Sequence, residues 1–144
     1  MKVVIQRSKE SSVSFLDITN KIEYGLVILV GFTEGDDEEK IDYTVNKIVN
    51  LRIFDDENGV MNKSLLDIGG SILSISQFTL YADTIKGRRP SYIDAMEPVQ
   101  AEKMYELFNE KLKKQNIEVK TGKFGHEMTV KITNDGPVTI IIER

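Results

Sequence analysis

The sequence predicts a single α/β domain, with strand order ββ(βα)(βα)βββ and layered sheets whose helices pack on one side. Three observations carry that prediction. An aliphatic run, Leu26-Val27-Ile28-Leu29-Val30, is bounded by Gly25 and Gly31 and reads as a strand buried on both faces. Two later segments repeat apolar residues every three or four positions, as amphipathic helices do. The C-terminal third alternates apolar and polar residues, as half-exposed antiparallel strands do. A chain of 144 residues fits one domain, 1–144, with a complete core.

In chain order, Val3, Val4 and Ile5 open a first strand, and Val13, Phe15 and Leu16 lie in a second. The Leu26–Val30 strand should be central in its sheet. Behind an acidic cluster, Ile41, Val45, Ile48 and Leu51 give a helix from about Asp37 to Leu51. Its acidic start suits the helix dipole. Residues 55–70 form a connection with an Asn58-Gly59 turn signal, consistent with a small hairpin beginning at Ile53-Phe54. A strand follows over Ser71–Phe78, its polar residues denser toward the end. Residues 81–96 are longer than most loops of compact domains, and such loops usually have a function. Pro98 suits the first turn of a second helix whose stripe is Ala101, Met104, Tyr105, Phe108 and Leu112, ending near Lys114. Three strands close the chain, at 117–121, 127–133 and 138–143. Asn134-Asp135-Gly136-Pro137 reads, on local chemistry, as the turn joining the last two.

Composition narrows the chemistry. There is no cysteine and only one histidine, His126, so thiolate catalysis, disulfides and Cys- or His-rich metal sites are excluded. Hydroxyls, amides, carboxylates, backbone groups or the substrate itself must supply any reaction, and neither metal nor cofactor is expected. His126 falls on a Gly-rich bend and reads as structural. The longest apolar run is too short to span a bilayer, and the N-terminal residues lack a secretory pattern, so a cytoplasmic location is expected. The net charge of −4 argues against binding nucleic acid, DNA included, by bulk attraction. Charge is unevenly distributed, however. Five carboxylates crowd residues 34–39, while six lysines and two glutamates lie between Lys111 and Lys131. Lys86, Arg88 and Arg89 form a second basic cluster in the long loop. Solvated surface explains such clusters adequately, so charge alone assigns no partner.

Ser76-Gln77-Phe78-Thr79-Leu80 sits where a buried strand emerges into that basic loop, a position from which a rigid scaffold presents groups to a ligand. Strand alternation would separate Gln77 and Thr79 from Ser76 and Phe78 unless the strand ends there. An ending strand also frees backbone amides that can bind an anionic oxygen. Gly136-Pro137 is a trans peptide by default, since only about 5–6% of X-Pro bonds in folded proteins are cis.

These two segments together resemble the paired signature of the D-aminoacyl-tRNA deacylases. Ser76-Gln77-Phe78-Thr79-Leu80 is followed by Asn134-Asp135-Gly136-Pro137-Val138-Thr139, and the likeness also takes in Gln6-Arg7, Gly25-Leu26-Val27 and Arg88-Arg89-Pro90-Ser91. The resemblance implies a homodimeric cytoplasmic esterase that removes D-amino acids, and glycine, from the 3' end of aminoacylated tRNA. It further implies a cis Gly136-Pro137 bond on a loop that enters the active site of the other protomer, where the two backbone carbonyls line the pocket. Under that implication Ser76, Gln77, Phe78 and Thr79 supply the catalytic part. Rigid exclusion of the L-enantiomer by the carbonyls, through clash with its Cβ, would give chiral proofreading. Arg7 is the candidate for holding the loop from behind. The amides of Phe78 and Thr79 are candidate oxyanion donors, with attack by water assisted by the substrate's own 2'-hydroxyl. Lys86, Arg88 and Arg89 are the candidate tRNA-binding residues. A non-catalytic tRNA-binding module and a small-molecule esterase are the alternatives.

Overall fold

The computed structural model describes residues 1–144. The strands and helices, in chain order, are β1 (Lys2–Ser8), β2 (Ser11–Phe15), β3 (Ile18–Ile22), β4 (Gly25–Gly31), α1 (Glu38–Asn50), β5 (Phe54–Asp55), β6 (Met61–Lys63), α2 (Leu65–Ile68), β7 (Ser71–Ser76), α3 (Pro98–Lys113), β8 (Val119–Thr121), β9 (Thr129–Lys131) and β10 (Asn134–Glu143). A 3-10 turn, Phe78–Tyr81, follows β7. The main sheet runs β10-β1-β4-β7-β8, and β3-β2-β9 form a second, smaller sheet. The apolar run of β4 is central, as its sequence predicts.

The layering follows from the connections. β4, β7 and β8 are neighbouring parallel strands, so the chain makes two crossovers that step across the sheet in the same direction. Parallel crossovers are nearly always right-handed, which places both helices on one face. There, Ile41, Val45 and Ile48 of α1 and Tyr105, Phe108 and Leu112 of α3 bury against Val3, Ile5, Leu26, Ile28 and Ile72. On the opposite face the small sheet brings Val13, Phe15 and Ile22 against Val27, Leu73 and Ile75. Burial on both faces is why β4 carries no alternation. No helix is long and apolar enough to cross a membrane.

The acidic cluster is used locally. Asp37 caps α1 by accepting from the amide of Lys40 at 2.9 Å, with Glu38 and Glu39 in the first turn. The Asp36 carboxylate is buried and accepts from the amide of Thr33 at 2.8 Å and from Lys40 Nζ at 3.2 Å.

Several boundaries differ from the sequence reading. The second strand stops at Phe15, because Leu16 turns the chain with φ of 49°, and β3, which the pattern did not predict, returns along β2. Residues 55–70 hold the hairpin and also α2, whose start is a reciprocal cap between Ser64 and Asp67. The strand predicted over 71–78 ends at Ser76. The strand predicted over 117–121 begins only at Val119, and only 129–131 of the segment 127–133 is strand. The predicted turn at 134–137 is instead the beginning of β10, described below.

Gly25 fixes how β4 enters the sheet. Its φ is +148°, and a Cβ there would lie 1.9 Å from the carbonyl oxygen of Ser71, its pairing partner in β7. Replacement by any other residue must separate the two parallel strands. Gly25→Ala is therefore expected to destabilise the protein by about 3 kcal/mol or more. Denaturant unfolding checks this, and an unchanged midpoint would contradict it.

Candidate active site

Parallel strands that end together leave a crevice at their carboxyl ends, where ligands of open α/β sheets bind. At the ends of β4 and β7 the structure has a cavity of about 660 Å³, within the range of small-molecule sites. Val30, Phe32, Ile75, Ala101 and Met96 give it apolar walls. The start of α3 and the bend between β8 and β9 complete it, and Ser76, Gln77 and Phe78 supply its polar edge.

The geometry of that edge comes from the way β7 stops. The amide of Gln77 still donates to Val30 O at 2.8 Å, but the chain then turns, and Leu80 N donates back to Gln77 O at 3.3 Å. Gly31 permits the close approach: a Cβ there would lie 2.8 Å from Gln77 O. The first amides of a helical turn have no partner within it. Those are Phe78 and Thr79, and Gln77, in the capping position, makes no side-chain bond to them. Two amides are thus left to bind an oxygen with developing negative charge. The Gln77 side chain instead donates from Nε2 to Thr79 Oγ1 at 2.5 Å. Strand alternation, which would have set Gln77 and Thr79 together on the face opposite Ser76 and Phe78, does not apply because the strand has already ended at Ser76; the turn keeps Gln77 and Thr79 in contact. Thr79 itself is half-buried one step beyond the cavity lining, held by an amide and not by a base. A hydroxyl whose partner cannot take its proton is a poor nucleophile and a good positioning group.

Phe78 is exposed and meets Tyr92 edge-on, ring centroids 5.0 Å apart. Tyr92 belongs to the long loop, which is tied across its base by paired bonds between Asp83 and Ser91 at 2.8 and 2.9 Å. Lys86, Arg88 and Arg89 occupy its exposed tip. Lys2, Lys21, Lys40, Lys63, Lys111 and Lys120 each pair with a carboxylate, whereas these three do not. Burial, with Asp36 and Glu143 nearby, pushes the Tyr81 phenol up to about 12. Burial likewise raises that of Tyr105, whose hydroxyl donates to Ser74 O at 2.8 Å. Neither phenol is a base at neutral pH. No three His, Asp or Glu side chains are grouped closely enough to hold a metal ion.

The second motif lies at the other end of the sheet. Gln6 of β1 pairs with Thr139 and Ser8 with Asn134, so Arg7 alone faces Asp135, Gly136, Pro137 and Val138. The four residues form a wide bulge in β10, and the Gly136-Pro137 bond within it is cis. Arg7 is buried and clamps the bulge: its Nε donates to Asp135 O at 3.3 Å and pairs with Asp135 Oδ2 at 3.2 Å. Its Nη1 donates to Ile53 O at 2.8 Å and reaches Asp55 at 3.4 Å. Asn134 braces the base of the bulge, donating to Arg7 O and Val138 O at 3.0 Å each. Gly136 has φ of +119°, and a Cβ on it would crowd Arg7 Nη2 at 3.1 Å.

The structure does not bring the two motifs together within one chain. Val3 pairs with Val30 beside the polar end of β7, and Ser8 pairs with Gly25 and Asn134 beside the bulge. Val3 and Ser8 are five positions apart, about 17 Å of strand.

One residue read as structural belongs with the cavity. His126 lines it, with Phe124 and Met128 from the same bend. The signal that could have found it is topological: β8 runs parallel to β7, so the segment leaving it must emerge at the same edge.

A family model described as D-Tyr-tRNA(Tyr) deacylase matches residues 4–143. Curated proteins named D-aminoacyl-tRNA deacylase from Bacillus cytotoxicus and Brevibacillus brevis are 55% and 53% identical to this chain, covering 99% of it and 99% of each of them. Among solved structures, one described as a c-Myc DNA unwinding element binding protein has a TM-score of 0.92 at 41% identity, covering 100% of this chain and 99% of its own. Another, a probable eukaryotic D-amino acid tRNA deacylase, has a TM-score of 0.84 at 16% identity, covering 98% and 97%. At that identity it speaks for the fold alone.

The clamp on the bulge gives a direct expectation. Arg7→Met removes both ties while keeping the stem, and should lower stability by about 1–3 kcal/mol. It should also speed hydrogen exchange at the 134–138 amides, and unchanged exchange there would show that Arg7 does not hold the segment.

Proposed function

This chain belongs to the D-Tyr-tRNA(Tyr) deacylase family, and from that premise we propose how its two separated motifs share one reaction. The protein hydrolyses the ester that joins a D-amino acid to tRNA. The observation that carries the mechanism is the pair of free amides, Phe78 and Thr79, at the polar lip of an otherwise apolar cavity. The ester carbonyl points its oxygen at them. Water adds to the carbonyl carbon, and the amides bind the resulting oxyanion. As the intermediate collapses, the bond to the ribose 3'-oxygen breaks. The 2'-hydroxyl relays the proton from water to that leaving oxygen. Thr79, oriented by Gln77, places the water and the ribose, and Ser76 lines the same edge.

Chiral selection is the work of Gly136 and Pro137 contributed by a second protomer. About 17 Å of strand prevents one chain from bringing its own bulge to its own Thr79, whereas a two-fold axis would bring each bulge to the other chain's site. The carbonyls of Gly136 and Pro137 accept from the substrate's α-ammonium and occupy the space an L side chain would need. Attractive contacts to a small group discriminate by only about 1–3 kcal/mol, so a steric wall is the better device. Glycine has no Cβ and passes. The enzyme works in the cytoplasm, where aminoacyl-tRNA is made and used. The 3' end of tRNA is single-stranded, so its terminal base enters the aromatic mouth of the cavity and its phosphates meet the unpaired Lys86, Arg88 and Arg89.

Matched D-, L- and glycyl-tRNA substrates test this reading. Release of the D- and glycyl esters, with the L-ester untouched, is expected; binding without release would mark a non-catalytic module, and equal turnover of free amino acid esters a small-molecule esterase. In single turnover Thr79→Ala should slow hydrolysis by about tenfold, whereas loss of a covalent nucleophile would cost about 10⁴-fold or more. Neutralising Lys86, Arg88 and Arg89 should weaken tRNA binding and flatten its dependence on log salt by about 0.7 for each phosphate that no longer meets a cation. An unchanged salt slope would remove them from the interface.

A further inference from the structure

The bend between β8 and β9 places His126, the chain's one histidine, on the wall of the cavity with its ring exposed. His126 Nδ1 lies 3.0 Å from the backbone oxygen of Phe124. A carbonyl oxygen carries no proton, so Nδ1 must donate and the neutral ring keeps its lone pair on Nε2. The tautomer is thereby set by the backbone two residues away. Among the other acceptors on the wall, the Glu97 carboxylate caps α3 by accepting from Val99 N and Gln100 N, and the Glu127 carboxylate is exposed. Phe78, Tyr92 and Phe124 offer ring faces and edges in the same cavity. An aromatic slot edged by a fixed neutral acceptor suits a flat base that presents an N–H donor.

We propose that His126 is a specificity-determining residue that reads the terminal nucleotide of the substrate, Nε2 accepting from the exocyclic amine of the 3'-terminal adenine. This deepens the reading of the cavity as the nucleoside end of the site, and rests on it. A base with a carbonyl in place of the amine would set lone pair against lone pair, so the interaction selects against it as well as for adenine. Loss of one neutral hydrogen bond corresponds to about a tenfold change in affinity.

The single histidine makes the test clean, because its ring signals in an NMR spectrum have one source. The probes are non-hydrolysable 3'-amide analogues, D-alanylamino-adenosine and its inosine counterpart, titrated into the wild type, His126→Ala and His126→Gln. The expected result is a shift of the His126 ring nitrogens on binding the adenosine probe and about tenfold weaker binding of the inosine probe. The preference should vanish in His126→Ala and partly return in His126→Gln, whose amide oxygen can accept. If the adenosine probe shifts the Phe78 and Tyr92 signals but leaves the imidazole unmoved, or if the preference survives in His126→Ala, the role of His126 is wrong and the cavity reading stands. If neither probe perturbs Phe78, Tyr92 or His126, the cavity does not hold the nucleoside and both fall.

Discussion

Strand β1 is hydrogen-bonded along its length to β10 on one side and to β4 on the other, and this pairing decides where everything functional can be. Its register pins the polar end of β7 to one edge of the sheet and the β10 bulge to the opposite edge. Neither can drift toward the other without breaking a ladder in the centre of the protein. A strand is stiff on the scale of a substrate, so the distance between the motifs is a fixed property of the fold. Local changes at either motif leave it unaltered.

Each motif then exists because a regular pattern stops. At β7 the ladder continues through the amide of Gln77 and fails one residue later, and the failure itself frees the amides of Phe78 and Thr79. At β10 four residues face one, and the surplus backbone has no strand to pair with. It would be loose but for Arg7, whose guanidinium meets a carbonyl and a carboxylate of the bulge on one side and β5 on the other. The planar fork of arginine serves several acceptors at once, which a lysine would not. The two ends therefore differ in kind: one offers donors, and the other offers carbonyls held by a buried cation. An aminoacyl ester has the complementary pair, an oxygen that becomes negative and an ammonium that is positive.

What the sequence reveals depends on how local the cause is. The aliphatic run of β4 and the periodicity of α1 and α3 record burial directly, and those elements stand where the pattern puts them. Strand β3 is not legible because Thr19, Asn20 and Lys21 are polar and Ile18 is half exposed; only its pairing with β2 makes it a strand. The short helix α2 did carry a signal, Ser64 with Asp67 three residues on, within a segment otherwise dominated by turn residues. Asn134-Asp135-Gly136-Pro137 has the chemistry of a turn and becomes a bulge because Ser8 captures Asn134 in the ladder, a partner 126 positions away. The two motifs were visible as residues, and their separation was not, since it is written in the register of β1 and in no segment by itself. His126 was discounted for the same reason: its neighbours in sequence are glycine and glutamate, while the residues that share its cavity come from β4, β7 and the start of α3.

The proposed division of labour also bears on why no strong base stands beside Thr79. An activated nucleophile close to an ester pocket would attack any aminoacyl ester that reached it, so every lapse of the steric wall would consume an L-substrate. With amides, a positioned hydroxyl and a proton relay belonging to the substrate, the chemistry starts only when the ester is seated with its oxygen on Phe78 and Thr79. Seating in turn requires the space beside the α-carbon to be clear. Catalysis of this kind makes turnover depend on placement, and in the proposed arrangement placement is what a rigid bulge from a second chain controls. An enzyme that must spare the far commoner mirror image gains more from a modest catalyst that demands correct geometry than from a powerful one that tolerates error.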